Sequence, residues 1–146
     1  MQYKTKNEKQ TLQIAKDFAK RLHGGEMILL YGDLGAGKTV FVKGMAKTLG
    51  IMETVKSPTF NILKLYPIKK LNNNSWTSEF CHIDAYRLNS LEELLDIGVE
   101  DYINNESVTV IEWADRLKGI EKMGQKIIKI KIEHGEKEDE RKIEIE

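Results

Sequence analysis

A chain of 146 residues fits one domain on the usual scale of about 100 to 200 residues each, and 40% hydrophobic against 32% charged residues, with 2 prolines and 11 glycines, excludes disorder and collagen-like or low-complexity sequence. The longest apolar run, Met27 to Tyr31, falls far short of the roughly 18 residues of a membrane span, the Lys-rich N-terminus has no apolar signal core, and the lone Cys81 cannot form an intrachain disulfide, so a cytoplasmic protein without membrane attachment is expected. The 23 basic residues cancel the 23 acidic ones; proteins that grip nucleic acid unaided carry a basic excess, so direct sequence-specific nucleic-acid binding is not expected.

From Gln10, the residues Leu12, Ala15, Ala19 and Leu22 share one helical face, with Thr11 as N-cap and Gly24-Gly25 as the stop. Glu26 to Tyr31 is an apolar run flanked by glycine, the pattern of a central parallel strand buried on both faces. The segment GDLGAGKT follows, then a helix with Val42, Met45, Ala46 and Leu49 inward, closed by Gly50. Thr59 to Tyr66 and Trp76 to Asp84 are rich in β-formers and predict a hairpin whose tip is Asn72 to Ser75. Ser90 caps a short helix with Glu93 at the capping-box position, and Gly98 breaks it. Val108 to Glu112 is another buried strand. The alternations Ile128, Ile130, Ile132 and Ile143, Ile145 against charged neighbours predict antiparallel strands wet on one face. With no internal repeat or linker, residues 1–146 are expected to form a single α/β domain with a mixed sheet.

Gly32 to Thr39 matches G-x-x-x-x-G-K-[ST] in full. In such a loop the glycines let backbone N–H groups curl around a phosphate chain, and the following helix N-terminus adds partial positive charge. Lys38 reaches the terminal phosphates, and the Thr39 hydroxyl ligates Mg²⁺. The four fixed positions would co-occur by chance in a chain this long with a probability of about half a percent, and here a buried strand and a helix flank them as well. Nucleoside triphosphate binding follows. An acid must then stand at a neighbouring strand end to hold the metal, directly or through water. Asp84 and Glu112 both end strands, and residue physics alone does not rank them. Ser57-Pro58-Thr59, about twenty residues on, sits where many P-loop proteins carry a switch that senses the γ-phosphate. His82 and Cys81 read as strand residues, since no second His or Cys lies at zinc spacing.

Together GDLGAGKT, VKSPTF, HIDAYRL and VIEWADRL resemble the TsaE (YjeE) family, bacterial P-loop ATPases that assist threonylcarbamoylation of tRNA, over about Thr11 to Arg141. The resemblance implies a P-loop NTPase-like three-layer sandwich with a mixed, mostly parallel central sheet and an antiparallel C-terminal hairpin. It implies ATP and Mg²⁺ as cofactors and weak ATPase activity alone, stimulated by partners. Those partners are the TsaD and TsaB proteins, which transfer a threonylcarbamoyl group to the adenosine beside the anticodon. Carried onto this chain, the nucleotide-binding residues are Gly35, Ala36, Gly37, Lys38, Thr39 and Val40, with Thr59 at the switch and Thr11 near the base. Thr39 and Glu112 become the metal ligands, and Asp84 the acid near the γ-phosphate and its water, so Lys38, Asp84 and Glu112 form the catalytic set. Arg87 and Trp113 match partner-facing or nucleotide-sensing positions.

The main rival is a small-molecule P-loop kinase. Such kinases generally close an Arg-bearing lid over the phosphates, and the four scattered arginines supply no cluster. A GTPase would carry N-K-x-D, which is absent.

Overall fold

The apolar run Met27 to Tyr31, with Glu26 before it, forms the middle strand, β2 Glu26–Tyr31, of a seven-stranded sheet in a computed structural model that describes residues 1–58, 60–69 and 79–146. The other strands are β1 Gln2–Thr5, β3 Leu63–Pro67, β4 Glu79–Asp84, β5 Ser107–Glu112, β6 Lys126–His134 and β7 Arg141–Ile145. The sheet order is β1-β7-β6-β2-β5-β4-β3. β6, β2, β5 and β4 are mutually parallel, whereas β3, β7 and β1 each pair antiparallel with their neighbours. β1 therefore points the same way as the central four, and the sheet is mostly parallel by strand direction. The helices are α1 Glu8–Ala19, α2 Lys38–Thr48 and α3 Leu91–Asp96, joined by single 3₁₀ turns at Val99–Asp101, Ala114–Arg116 and Ile120–Lys122.

Strand alternation splits the apolar residues into two cores, one on each face of the sheet. Ile28 and Leu30 of β2 face α1 and α2, where they meet Phe18, Phe41, Val42 and Met45. Met27 and Leu29 face the opposite way and pack with Leu94, Val99, Leu117 and Ile120 of α3 and the 3₁₀ turns. This is the expected three-layer sandwich. β6 and β7 carry the predicted alternation: Ile130, Ile132, Ile143 and Ile145 are buried, and Lys129, Lys131 and Glu133 are exposed. β6 also pairs on its other edge, in parallel, with β2, so the C-terminal hairpin extends the central sheet.

Two local expectations are corrected and one strand was not foreseen. Asn7, not Thr11, caps α1: its side chain accepts from the Gln10 amide at 3.0 Å, and Thr11 lies one turn in, its hydroxyl 2.9 Å from that of Thr5. The buried face of α1 is centred on Thr11, Ala15, Phe18 and Ala19, because turning the large Phe18 ring inward leaves Leu12 half-buried. β1 had no sequence signal, being four residues of mostly polar edge strand. In the predicted β3–β4 hairpin, Leu63 to Pro67 pair with Ile83 to Glu79; Thr59 and the expected tip, Asn72 to Ser75, lie outside the described residues.

α1 and α2 cross at Gly44. A Cβ built there would lie 2.6 Å from Ala15 Cβ and 2.8 Å from the Leu12 carbonyl oxygen. Gly44→Ala would gain about 1 kcal/mol of helix propensity, but overpacking a rigid backbone contact typically costs about 1 to 3 kcal/mol. The expected result is a lower urea midpoint at unchanged m-value.

Candidate functional site

Parallel pairing of β4 with β5 sets Asp84 opposite Glu112, and pairing of β5 with β2 sets Glu112 beside Leu30. The carboxyl ends of three strands, the phosphate loop that follows β2 and the start of α2 thus converge on one edge of the sheet. The Ala85 amide donates to the Glu112 carbonyl at 3.0 Å and locks the two strand ends together.

Glu112 is 2% exposed. Its carboxylate accepts from the Thr39 hydroxyl, at 3.1 Å to Oε1 and 2.9 Å to Oε2, and from His82 Nε2 at 2.8 Å. His82 is fully buried; since a carboxylate only accepts, its Nε2 is the donor to Glu112, and Nδ1 has no partner among the described residues. Asp84 is also held at both oxygens: the Ser57 hydroxyl donates to Oδ2 and the Tyr86 amide to Oδ1 at 2.9 Å.

Lys38 is 4% exposed, its ammonium donating to the carbonyls of Gly32 and Asp33 at 2.5 and 2.9 Å. It also lies 3.6 Å from the centre of the Trp113 ring. Burial pushes its pKa below the usual lysine value, opposed by the charges of Glu112, Asp115, Asp84 and Asp33. Trp113 adopts left-handed backbone at φ 60°, which costs a residue with a Cβ roughly 1 to 2 kcal/mol. That bend turns its ring over Lys38, where Tyr86 packs at 5.0 Å and the Arg116 guanidinium at 5.9 Å.

All three glycines of the loop take positive φ. A Cβ on Gly32 would collide with the Ile132 carbonyl of β6, and Gly37 starts α2 with φ 103°. Beside the loop, Thr11, Gly35, Gly37 and Val40 line a cavity of about 160 Å³ with Glu8, Asp139 and Arg141. The expected residues therefore gather into two adjoining clusters: Lys38, Thr39, Asp84 and Glu112 at the strand ends, and Thr11, Gly35, Gly37 and Val40 around the cavity. Ala36 is buried beneath the loop, and Thr59 lies outside the described residues. The Arg87 guanidinium lies 5.0 Å over the exposed Phe60 ring.

Three groups escaped the sequence. Arg141 donates to the carbonyls of Ala36 at 2.9 Å and Gly35 at 3.2 Å, and His134 Nε2 lies 3.3 Å from that of Leu34. Nothing in an alternating strand pattern marks such residues. His82 was read as a strand residue, which it is, but its bond to Glu112 needed the β4–β5 register.

A magnesium ion fits this donor set. Thr39 and Glu112 offer only hard oxygen atoms, and Mg²⁺ takes one or two protein oxygens together with phosphate and water. Among the described residues no cluster of three or more His, Cys, Asp or Glu exists, and a site completed by phosphate and water needs none.

The family model described as threonylcarbamoyl adenosine biosynthesis protein TsaE matches residues 5–143. This chain belongs to the TsaE family. The tRNA threonylcarbamoyladenosine biosynthesis protein TsaE of Bacillus subtilis is 37% identical over 143 residues, covering 98% of this chain and 83% of that one. Its counterpart in Haemophilus influenzae is 39% identical over 114 residues, covering 75% and 68%. A crystal structure of Bacillus subtilis YdiB superposes with a TM-score of 0.73 at 34% identity, covering 98% of this chain and 82% of that one. No helix among the described residues is long and apolar enough to cross a membrane.

Two consequences are measurable. Glu112→Ala orphans the buried His82 N–H and should cost about 1 to 3 kcal/mol in urea unfolding, whereas Glu112→Gln keeps an acceptor and should cost clearly less. Cys81 is buried and its thiol is pushed up to about 12 by desolvation. Iodoacetamide at pH 8 should therefore leave it unmodified in the folded protein and label it rapidly in urea, because thiolate is the reactive form.

Proposed function

We propose that this chain binds and hydrolyses ATP and serves in the formation of threonylcarbamoyladenosine in tRNA, as an ATP-driven switch on the TsaD and TsaB proteins, in the cytoplasm. The single observation that carries the reading is the convergence of Lys38, Thr39, Glu112 and Asp84 on one sheet edge at the mouth of a complete phosphate loop. Family membership supplies the pathway.

In this reading the loop amides and Lys38 bind the phosphate chain, and the cavity lined by Thr11 and Val40 takes the nucleoside. Lys38 leaves the Trp113 ring to reach the terminal phosphates, where its charge offsets that growing on the transferring phosphoryl oxygens. Thr39 and Glu112 would hold Mg²⁺, which supplies charge neutralisation at the phosphates when bound. His82 keeps the Glu112 carboxylate aimed at Thr39. Asp84, anchored by Ser57 and the Tyr86 amide, orients the attacking water. Because Ser57 opens the switch segment, cleavage of the γ-phosphate alters the contacts of that segment and resets the grip on the partner pair.

Removing a preorganised charge contact of this kind typically costs about 2.7 to 4 kcal/mol in the transition state, or about 10² to 10³ in rate. ATP turnover should be slow for the chain alone and rise when TsaD and TsaB are added. Lys38→Ala should abolish the rise while leaving the circular dichroism spectrum intact. A folded Lys38→Ala protein with normal turnover refutes the assignment.

A further inference from the structure

Every carbonyl of the phosphate loop has a donor. Lys38 takes those of Gly32 and Asp33, and the Phe41 amide takes that of Gly37 at 3.0 Å. The three between them, on Leu34, Gly35 and Ala36, are held by two side chains of the β6–β7 hairpin, His134 and Arg141, about a hundred residues further along the chain. In a trans peptide the N–H points opposite to the C=O. Pinning the carbonyls of Leu34 and Ala36 toward the hairpin therefore turns the amides of Gly35 and Gly37 the other way, into the concavity where an anion is cradled.

Arg141 suits this work. Its Nε and Nη2 reach adjacent carbonyls of the loop, while Nη1 donates to the carbonyls of Glu138 at 2.5 Å and Glu140 at 2.7 Å in its own hairpin. One planar guanidinium thus clamps two loops together, which a lysine, a single point of charge, cannot reproduce. The Leu34 side chain is 75% exposed, so no apolar packing holds the loop's tip from that side. The hairpin is itself rigidly placed, because β6 pairs with β2 and its Ile132 carbonyl abuts Gly32.

We propose that Arg141, assisted by His134, is a positioning residue that holds the phosphate loop in its anion-cradling shape, so that the β6–β7 hairpin sets the loop's affinity for any polyphosphate chain. This rests on reading residues 32–39 as a triphosphate loop. It differs from a role for Arg141 as a direct contact to the nucleoside, for which its place beside the Thr11 cavity would also qualify it.

A ligand without a base separates the two. Binding of ATP and of inorganic tripolyphosphate to the full chain, with and without Arg141→Met, should weaken together by about tenfold, the loss expected from one or two charge-assisted hydrogen bonds. Arg141→Lys should restore only part of that loss, and His134→Ala should show a smaller drop of the same kind. Backbone ¹⁵N relaxation of the ligand-free proteins provides a second readout. Order parameters at Asp33 to Gly37 should fall in Arg141→Met while those of β6 and β7 stay unchanged. The proposal is overturned if ATP weakens and tripolyphosphate does not, if neither weakens, or if the loop stays as rigid as in the parent. Should Arg141→Met fail to fold, the same comparison on Arg141→Lys and His134→Ala decides it by the same criteria. Tripolyphosphate binding by the parent chain and its loss in Lys38→Ala tests the triphosphate reading separately, and the relaxation measurement judges Arg141 whichever way that falls.

Discussion

A buried carboxylate, Glu112, is the constraint on which the site depends. It lies buried at the end of a strand and receives the hydroxyl of Thr39 from α2 and the imidazole of His82 from β4. A buried charge persists only where donors surround it. Those donors come from two segments and the carboxylate from a third, so the group pins the first turn of α2, the end of β5 and the middle of β4 into one geometry. The same geometry places Thr39 and Glu112 side by side as oxygen donors and leaves Asp84 on the adjacent strand end.

The phosphate loop is a second case of imposed backbone. Loops of this kind hold their amides inward, a conformation that leaves carbonyls pointing out and in need of donors. Here the donors are the loop's own lysine on one side and the C-terminal hairpin on the other. The hairpin is therefore more than a rim: it extends the central sheet, crowds Gly32 and carries the clamp on Gly35 and Ala36. Strain appears where the two arrangements meet, at the left-handed Trp113, whose ring covers the Lys38 ammonium.

Much of this was legible in the residues. Gly32 to Thr39 announced itself because its spacing is dictated by backbone chemistry at a phosphate. The apolar run 27–31 and the strand ending in Glu112 read as buried strands because both faces must be apolar. The alternation in 128–132 and 143–145 was equally plain, one face of those strands being wet. Thr11 was misplaced as a cap because Asn7, a residue of the same capping class, lies four positions earlier, and local chemistry does not choose between them. β1 was invisible, since an edge strand of polar residues has no hydrophobic period to detect.

Local sequence thus determined the element types, the phosphate loop and the two strand-end acids, because each depends on periodicity or spacing within a few residues. The tertiary structure alone decided the pairings: Glu112 with His82 and Thr39, Asp84 with Ser57, and Arg141 with the carbonyls of Gly35 and Ala36. These contacts span 27 to 106 residues along the chain. They are set by strand order and register, which emerge only when both faces of the sheet are covered at once, and no window of neighbouring residues encodes that condition.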